Sequence, residues 1–153
     1  KYKSDAWKKM ISYVPQNIFI SNASLSENIT LNFDNNIDYK LIDEVIKISK
    51  LTDFVFSLPN KLNQNIGEMG SKVSGGQIQR IGIARALYKK SEFIVFDEST
   101  SSLDENVEKQ IINDIFDIAK GKTIIIVSHK LSLLRKCNKI YELKNGNLVN
   151  SYL

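Results

Sequence analysis

The chain holds one cysteine, Cys137, two prolines, Pro15 and Pro59, and one histidine, His129, among 153 residues. A lone cysteine excludes an internal disulfide and provides no thiolate set at metal-ligand spacing, which fits a reducing compartment. The longest apolar runs, such as Phe93 to Phe96 and Ile124 to Val127, fall far short of the ~20 residues needed to span a bilayer as a helix. No low-complexity tract and no internal repeat occurs. The start, Lys1-Tyr2-Lys3-Ser4-Asp5 leading into Trp7-Lys8-Lys9, has no signal-peptide pattern and no initiating methionine, the latter fitting a piece of a longer chain. The formal charge of +4 is dispersed, with only short clusters such as Lys89-Lys90. That distribution reads as solvated surface and argues against a nucleic-acid partner.

With 42% apolar and 25% charged residues, the sequence has the composition of one globular domain or a large piece of one. Met10 to Val14 reads as a short strand running into Pro15-Gln16, and the polar, turn-rich stretch from Asn17 to Asn36 reads as irregular. Asp38 can N-cap a helix whose apolar face is Leu41, Ile42, Val45 and Ile46. A second short helix around Thr52 to Leu58 stops at Pro59. Behind the glycine-punctuated loop Ile66-Gly67-Glu68-Met69-Gly70, the residues Ile78, Ile81, Ala84, Leu87 and Tyr88 recur at helical spacing.

The pattern then becomes strand, helix, strand, helix, strand. Phe93 to Phe96 and Thr123 to Val127 are continuous apolar strands, separated by an amphipathic helix from Glu105 to Lys120 that Gly121 ends. Such strands predict a parallel sheet covered by helices on both faces. Lys139 to Leu143, Asn145-Gly146 and Asn147 to Tyr152 predict a hairpin with a type I′ turn.

Several places have the residue types for anion chemistry. Val73-Ser74-Gly75-Gly76-Gln77 opens a helix; glycines without Cβ let a ligand approach the backbone, and the helix start turns unpaired N–H groups and its positive dipole end outward. Alone, Ser-Gly-Gly is also an ordinary turn with an N-cap. Asp97 and Glu98 end a strand of the predicted parallel sheet, the end at which ligands bind in such sheets. Asp97 can hold magnesium through water, and Glu98 can polarise or deprotonate an attacking water; a bare Asp-Glu pair is equally a solvated strand end. His129 follows the next strand at the same end and can contact a terminal phosphate, although a lone histidine is commonly a surface residue. Gln16, beyond a strand and a proline, can touch metal and water. Ser101 to Asp104 precedes a helix and is ordinarily an N-cap with a serine turn.

The order of these pieces is more specific than any one of them. Gln16, Ser74-Gly75-Gly76-Gln77 with Gln79-Arg80 and Ala84-Arg85-Ala86-Leu87, then Phe93 to Glu98, Ser101 to Asp104 and Ser128-His129 together resemble the nucleotide-binding domain of ABC transporters, from about Met10 to the C-terminus. The resemblance implies an α/β fold: a partial parallel sheet of the P-loop nucleoside triphosphate hydrolase kind flanked by helices, an inserted mainly helical signature subdomain at about 17–90, core portions at about 10–16 and 91–153, and a C-terminal β-hairpin. It also implies ATP and magnesium as ligands. Gln16 would be the Q-loop residue, touching metal and water, Asp97 the metal-associated carboxylate, and Glu98 and His129 the hydrolytic pair. Ser74, Gly75, Gly76 and Gln77 would form the signature loop, and Asp104 would close the D-loop.

In that family two domains sandwich two ATP molecules head to tail, so Ser74 and Gly76 would face nucleotide held by another copy. Pro15-Gln16-Asn17-Ile18-Phe19-Ile20, Ser26-Glu27-Asn28-Ile29 and Ile66 to Gly70 are similar to exporter segments that meet the coupling helices of a membrane domain, at the cytoplasmic face of the membrane. The alternatives are a soluble ATPase of DNA repair or translation, or a non-catalytic interaction module. Val73 stands where leucine is usual, Ile78 where a basic or polar residue is common, and Ser99 and Ser102 where alanines are frequent. One departure is severe: no Gly-x-x-x-x-Gly-Lys-Ser/Thr loop precedes Gln16, so the amides and lysine that cradle the β- and γ-phosphates are missing from these residues, as is the aromatic residue that stacks on adenine. Loss of the strand that carries that loop is expected to bare an apolar sheet edge beside Phe93 to Phe96.

Overall fold

A computed structural model describes residues 4–32, 37–67, 73–100, 102–118 and 121–152. Three short parallel strands form its centre: β1 (Ile11–Val14), β2 (Phe93–Asp97) and β3 (Thr123–Val127), in the order β1-β2-β3. Ile11, Phe93 and Thr123 lie side by side at one end, and Val14, Phe96 and Ile126 near the other. The β2–β3 crossover is α6 (Glu105–Ile118); between β1 and β2 the chain makes a long excursion through α2 (Leu25–Thr30), α3 (Tyr39–Ile48), α4 (Thr52–Ser57), a 3₁₀ turn at Lys61–Asn63 and α5 (Gly75–Tyr88). A helix α1 (Ser4–Met10) precedes the sheet. A short α7 (Leu131–Leu134) and an antiparallel hairpin, β4 (Ile140–Lys144) with β5 (Asn147–Tyr152), follow it.

Local chemistry accounts for most of these boundaries. Asp38 accepts the Leu41 N–H and starts α3, whose Ile42, Val45 and Ile46 are buried as the periodicity requires. Asn145 and Gly146 have φ of 52° and 75°, the left-handed pair that a type I′ turn needs. Two helices lie where the sequence reading had none. The segment from Asn17 to Asn36 is not wholly irregular: Ser24 and Glu27 form a reciprocal capping box that starts α2, satisfying two orphan N–H groups at once. At the N-terminus, α1 lays Trp7 against Phe93 with ring centroids 6.0 Å apart.

The core sits where α5 packs on α2, α3 and β1, with Leu25, Ile29, Ile42, Ile81 and Ile83 fully buried. Each such side chain contributes about 1.5–3 kcal/mol through removal from water. Phe96 and Ile94, buried on one face of β2, join it, as do Ile111, Ile112 and Ile115 of α6. The other face is different: Tyr13, Ile125 and Val127 remain 56%, 49% and 48% exposed. The expectation of a sheet covered on both faces is therefore corrected. Among the described residues one face is covered and the other only in part, because the pleat sends Tyr13, Val95 and Ile125 to the side that α1 reaches only through Trp7 against Phe93. The bared edge is corrected as well: β2 is the central strand, and the outer edges belong to β1 and β3. Residues 68–70 of the glycine loop, Ser101 and Lys120 lie outside the described residues.

Candidate functional site at the carboxyl end of the sheet

Parallel strands deliver their C-terminal residues to one rim, and four sequence-predicted residues, Gln16, Asp97, Glu98 and His129, arrive there together. Asp97, the last residue of β2, lies opposite Val127 of β3. At Glu98 the backbone turns to φ 47°, a left-handed conformation that costs a residue with a Cβ roughly 1–3 kcal/mol. Its N–H still donates to Val127 O at 3.0 Å. The turn aims its carboxylate at two partners: Gln16 Nε2 donates to Oε2 at 3.2 Å, and His129 Nε2 lies 2.7 Å from Oε1. Because an ionised carboxylate only accepts, Nε2 of the imidazole is the protonated nitrogen in that contact. Gln16, Glu98 and His129, up to 113 positions apart in number, thus form one cluster with both carboxylate oxygens engaged. The imidazole itself is 92% exposed.

Asp97, the last residue on the pleat, finds a different partner from Glu98, which the left-handed turn carries off the strand. Its Oδ2 accepts a 2.7 Å bond from the Tyr13 hydroxyl, and the carboxylate beside it raises the tyrosine's pKa above its ordinary value, through the hydrogen bond first and desolvation second. Among the described residues no group of three or more histidine, cysteine, aspartate and glutamate side chains is placed to hold a metal ion. One carboxylate remains a sufficient protein share for magnesium, which keeps waters and takes the rest of its oxygens from substrate phosphates.

The Ser74 loop lies at the mouth of α5. Ser74 Oγ accepts the Gln77 N–H at 3.2 Å while Gln77 Oε1 accepts the Ser74 N–H at 2.9 Å. Gln77 therefore spends its side chain on the helix start, and Ser74 and Gly75 are exposed. A Cβ on Gly76 would come within 3.3 Å of Ser102 O, so the glycine loop rests directly on the turn before α6. Asp104 N-caps α6, its Oδ1 accepting the Val107 N–H at 3.0 Å, which is the ordinary capping role.

Three further residues shape this region without having been assigned tasks from sequence. Tyr13 is one, disguised as a common strand former. Gln79, 3% exposed, accepts the Ser102 N–H at 2.9 Å and joins α5 to the turn before α6. Arg85 reaches back from α5 to Asn28 O at 2.8 Å and Phe19 O at 3.0 Å, fastening the segment that follows Gln16. Gln79 and Arg85 stood inside the quoted motif, but spacing alone shows no partner across such distances in sequence.

A family model described as ABC transporter matches residues 1–101 of this chain. The chain belongs to the ABC transporter family. An ATP-dependent lipid A-core flippase of Pseudoalteromonas translucida is 35% identical over 150 residues, covering 98% of this chain and 26% of that protein. A putative export ATP-binding/permease protein of Rickettsia bellii is 37% identical over 139 residues, 91% of this chain and 24% of that protein. The solved structure of a bacterial Atm1-family ABC exporter with ATP bound superposes with a TM-score of 0.88 at 31% identity, over 96% of this chain and 26% of that one. This ABC transporter chain therefore spans about a quarter of the length of these relatives, and it corresponds to part of a nucleotide-binding domain of exporter type. Its α/β fold, with a parallel sheet flanked by helices and a C-terminal antiparallel hairpin, agrees with the fold that the resemblance implied. Among the described residues no helix is long and apolar enough to cross a membrane.

Proposed function

We propose that these residues are the signature and hydrolytic part of an ATP-hydrolysing motor domain that powers export through an ABC transporter. The observation that carries the reading is the meeting of Gln16, Glu98 and His129 at the rim of the sheet. Residues at about 17–90 form the helical signature subdomain, and those at about 10–16 and 91–153 belong to the catalytic core. The parent protein would work at the cytoplasmic face of a membrane, with coupling helices of a membrane domain resting on the segment after Gln16 and on the loop from Ile66 to Gly70.

Asp97 and Gln16 would hold magnesium, which when bound would neutralise phosphate charge. Tyr13 keeps the Asp97 carboxylate in place by holding Oδ2. Glu98 accepts a proton from the attacking water as that oxygen bonds to the γ-phosphorus and the bond to the leaving ADP oxygen breaks. His129, already a donor through Nε2, transfers its hydrogen bond to a γ-phosphate oxygen and releases Glu98 Oε1 for the water. Gln16 holds the other carboxylate oxygen and reports the state of the site to the segment behind it. Gly75 and Gly76 turn their N–H groups and the helix dipole, and Ser74 its exposed hydroxyl, toward a phosphate presented by a second domain in a head-to-tail pair. Gln77 and Asp104 serve that contact by fixing the helix start and the neighbouring turn.

In the full-length protein Glu98→Gln removes the base and keeps the shape. Hydrolysis is expected to fall by at least ~10²-fold, the usual contribution of a general base, with ATP binding retained. Near-normal turnover would overturn the reading. The soluble-ATPase alternative is disfavoured by the export and flippase relatives, and association of the full-length protein with nucleic acid rather than detergent micelles would revive it.

A further inference from the structure

His129 is held by remarkably little of its own, and its placement has to come from the backbone on either side. Its ring is 92% exposed and, among the described residues, Glu98 is its one polar contact, so no packing selects its orientation. On the upstream side the ladder between β2 and β3 fixes Val127. On the downstream side lies Lys130, and there the structure contains an ion pair that the hydrolytic scheme does not use. Lys130 Nζ donates to both carboxylate oxygens of Glu108, at 3.0 and 2.9 Å. The Glu108 side chain is only 4% exposed and projects from the first turn of α6, just after the Asp104 cap. Glu105, in the same first turn, is paired with Lys109 at 2.7 Å.

A carboxylate placed this deep is a poor stabiliser. Removing an ion pair from water costs about as much as the pair returns, and apolar side chains of similar volume usually serve a core better. What this contact does provide, with Glu108 buried and Lys130 40% exposed, is a fixed distance and direction between the segments it joins. Here those segments are the start of α6, on which the Ser74 loop leans through Ser102, and the residue next to the imidazole. Lys130 also begins α7, its carbonyl accepting the Leu133 N–H at 3.1 Å, and Leu133 is buried. The backbone at 130 is thus pinned by its side chain and by the short helix it opens.

We propose that Glu108, acting through Lys130, is a positioning residue for the reaction: it sets the backbone beside His129 so that Nε2 reaches Glu98 and, in turn, the phosphate. The inference rests on the hydrolytic role given to His129 above. It makes Glu108 matter to the rate through the imidazole and through nothing else.

The test is a double-mutant cycle in the full-length protein, with ATP turnover measured in wild type, Glu108→Gln, His129→Ala and the double variant. Glu108→Gln, nearly isosteric, is expected to lower kcat by about tenfold, comparable to the loss when a partner that orients a metal-ligating side chain is removed, at an unchanged KM for ATP. In the His129→Ala background the same substitution should have almost no further effect, since the side chain it orients is gone. Lys130→Arg, whose fork still spans the carboxylate, should keep most of the turnover. Equal slowing by Glu108→Gln with and without His129, or no slowing at all, overturns the proposal. Should Glu108→Gln lose its cooperative melt, Lys130→Met enters the cycle in its place with the same expectations. If His129→Ala and Glu98→Gln both leave turnover intact, the hydrolytic reading itself fails. Normal effects of those two with an additive Glu108→Gln would remove only the positioning role.

Discussion

At the scale of single residues the site depends on close approaches that only particular side chains allow. Gly82, in the middle of α5, faces Ile18 of the segment after Gln16; a Cβ there would lie 2.4 Å from Ile18 Cδ1 and 2.8 Å from Cγ1. Cγ1 is not the loose end of the side chain, and χ1 of a β-branched residue has little freedom. Gly82→Ala therefore sets a gain in helix propensity of about 1 kcal/mol against overpacking that costs about 1–3 kcal/mol. We expect overpacking to win, with a net loss of roughly 1 kcal/mol in the denaturation of the complete domain. Ile18→Ala in the same background should recover part of it, whereas a Gly82→Ala variant as stable as wild type would show that Ile18 moves freely. Arg85, one turn on, holds the same segment through Phe19 O and Asn28 O, so the stretch behind Gln16 is fastened to the helix that the Ser74 loop opens.

At the scale of elements, what the sequence made legible depended on the length and regularity of each signal. The helix opened by Ser74 and the one capped by Asp38 carry apolar periodicity over ten or more residues, and both run as expected. The six residues of α2 carry too little periodicity to register, and the one signal for it, the Ser24-Leu25-Ser26-Glu27 spacing, was not read as a cap. Tyr13 and Glu108 were invisible for another reason: their importance lies in partners 84 and 22 positions away, and strand order alone creates those meetings. The capping box also makes a prediction. Hydrogen bonds from the Ser24 side chain and then its backbone N–H lower the Glu27 pKa below its ordinary value. A carboxylate lowered on folding stabilises above its unfolded pKa, and the contribution disappears as pH falls through the lower folded value. Thermal melts of wild type and Glu27→Gln should thus differ at pH 6–7, with wild type higher, and draw together as pH falls below the ordinary glutamate value of about 4.3. A gap that persists unchanged in acid would assign the effect to shape rather than charge.

For the molecule as a whole, the half-covered sheet controls how these 153 residues behave by themselves. Folding buries one face of β2 in a continuous core but leaves Tyr13, Ile125 and Val127 open on the other, beside a β3 edge whose outer N–H and C=O groups face no strand among the described residues. A contiguous apolar face next to an unpaired edge favours association over a monodisperse state. The same side lacks a phosphate-cradling loop, so Glu98 and His129 have geometry without a substrate held against them. We therefore expect a polypeptide of these residues alone to self-associate in light scattering and to bind a hydrophobic dye. It should neither bind nor hydrolyse ATP measurably, and covalent extension to the complete domain should abolish dye binding and restore turnover. A monodisperse monomer with a cooperative melt would overturn that expectation. Turnover by the short polypeptide, lost on Glu98→Gln, would mean that the rim of the sheet can hold nucleotide without the cradle.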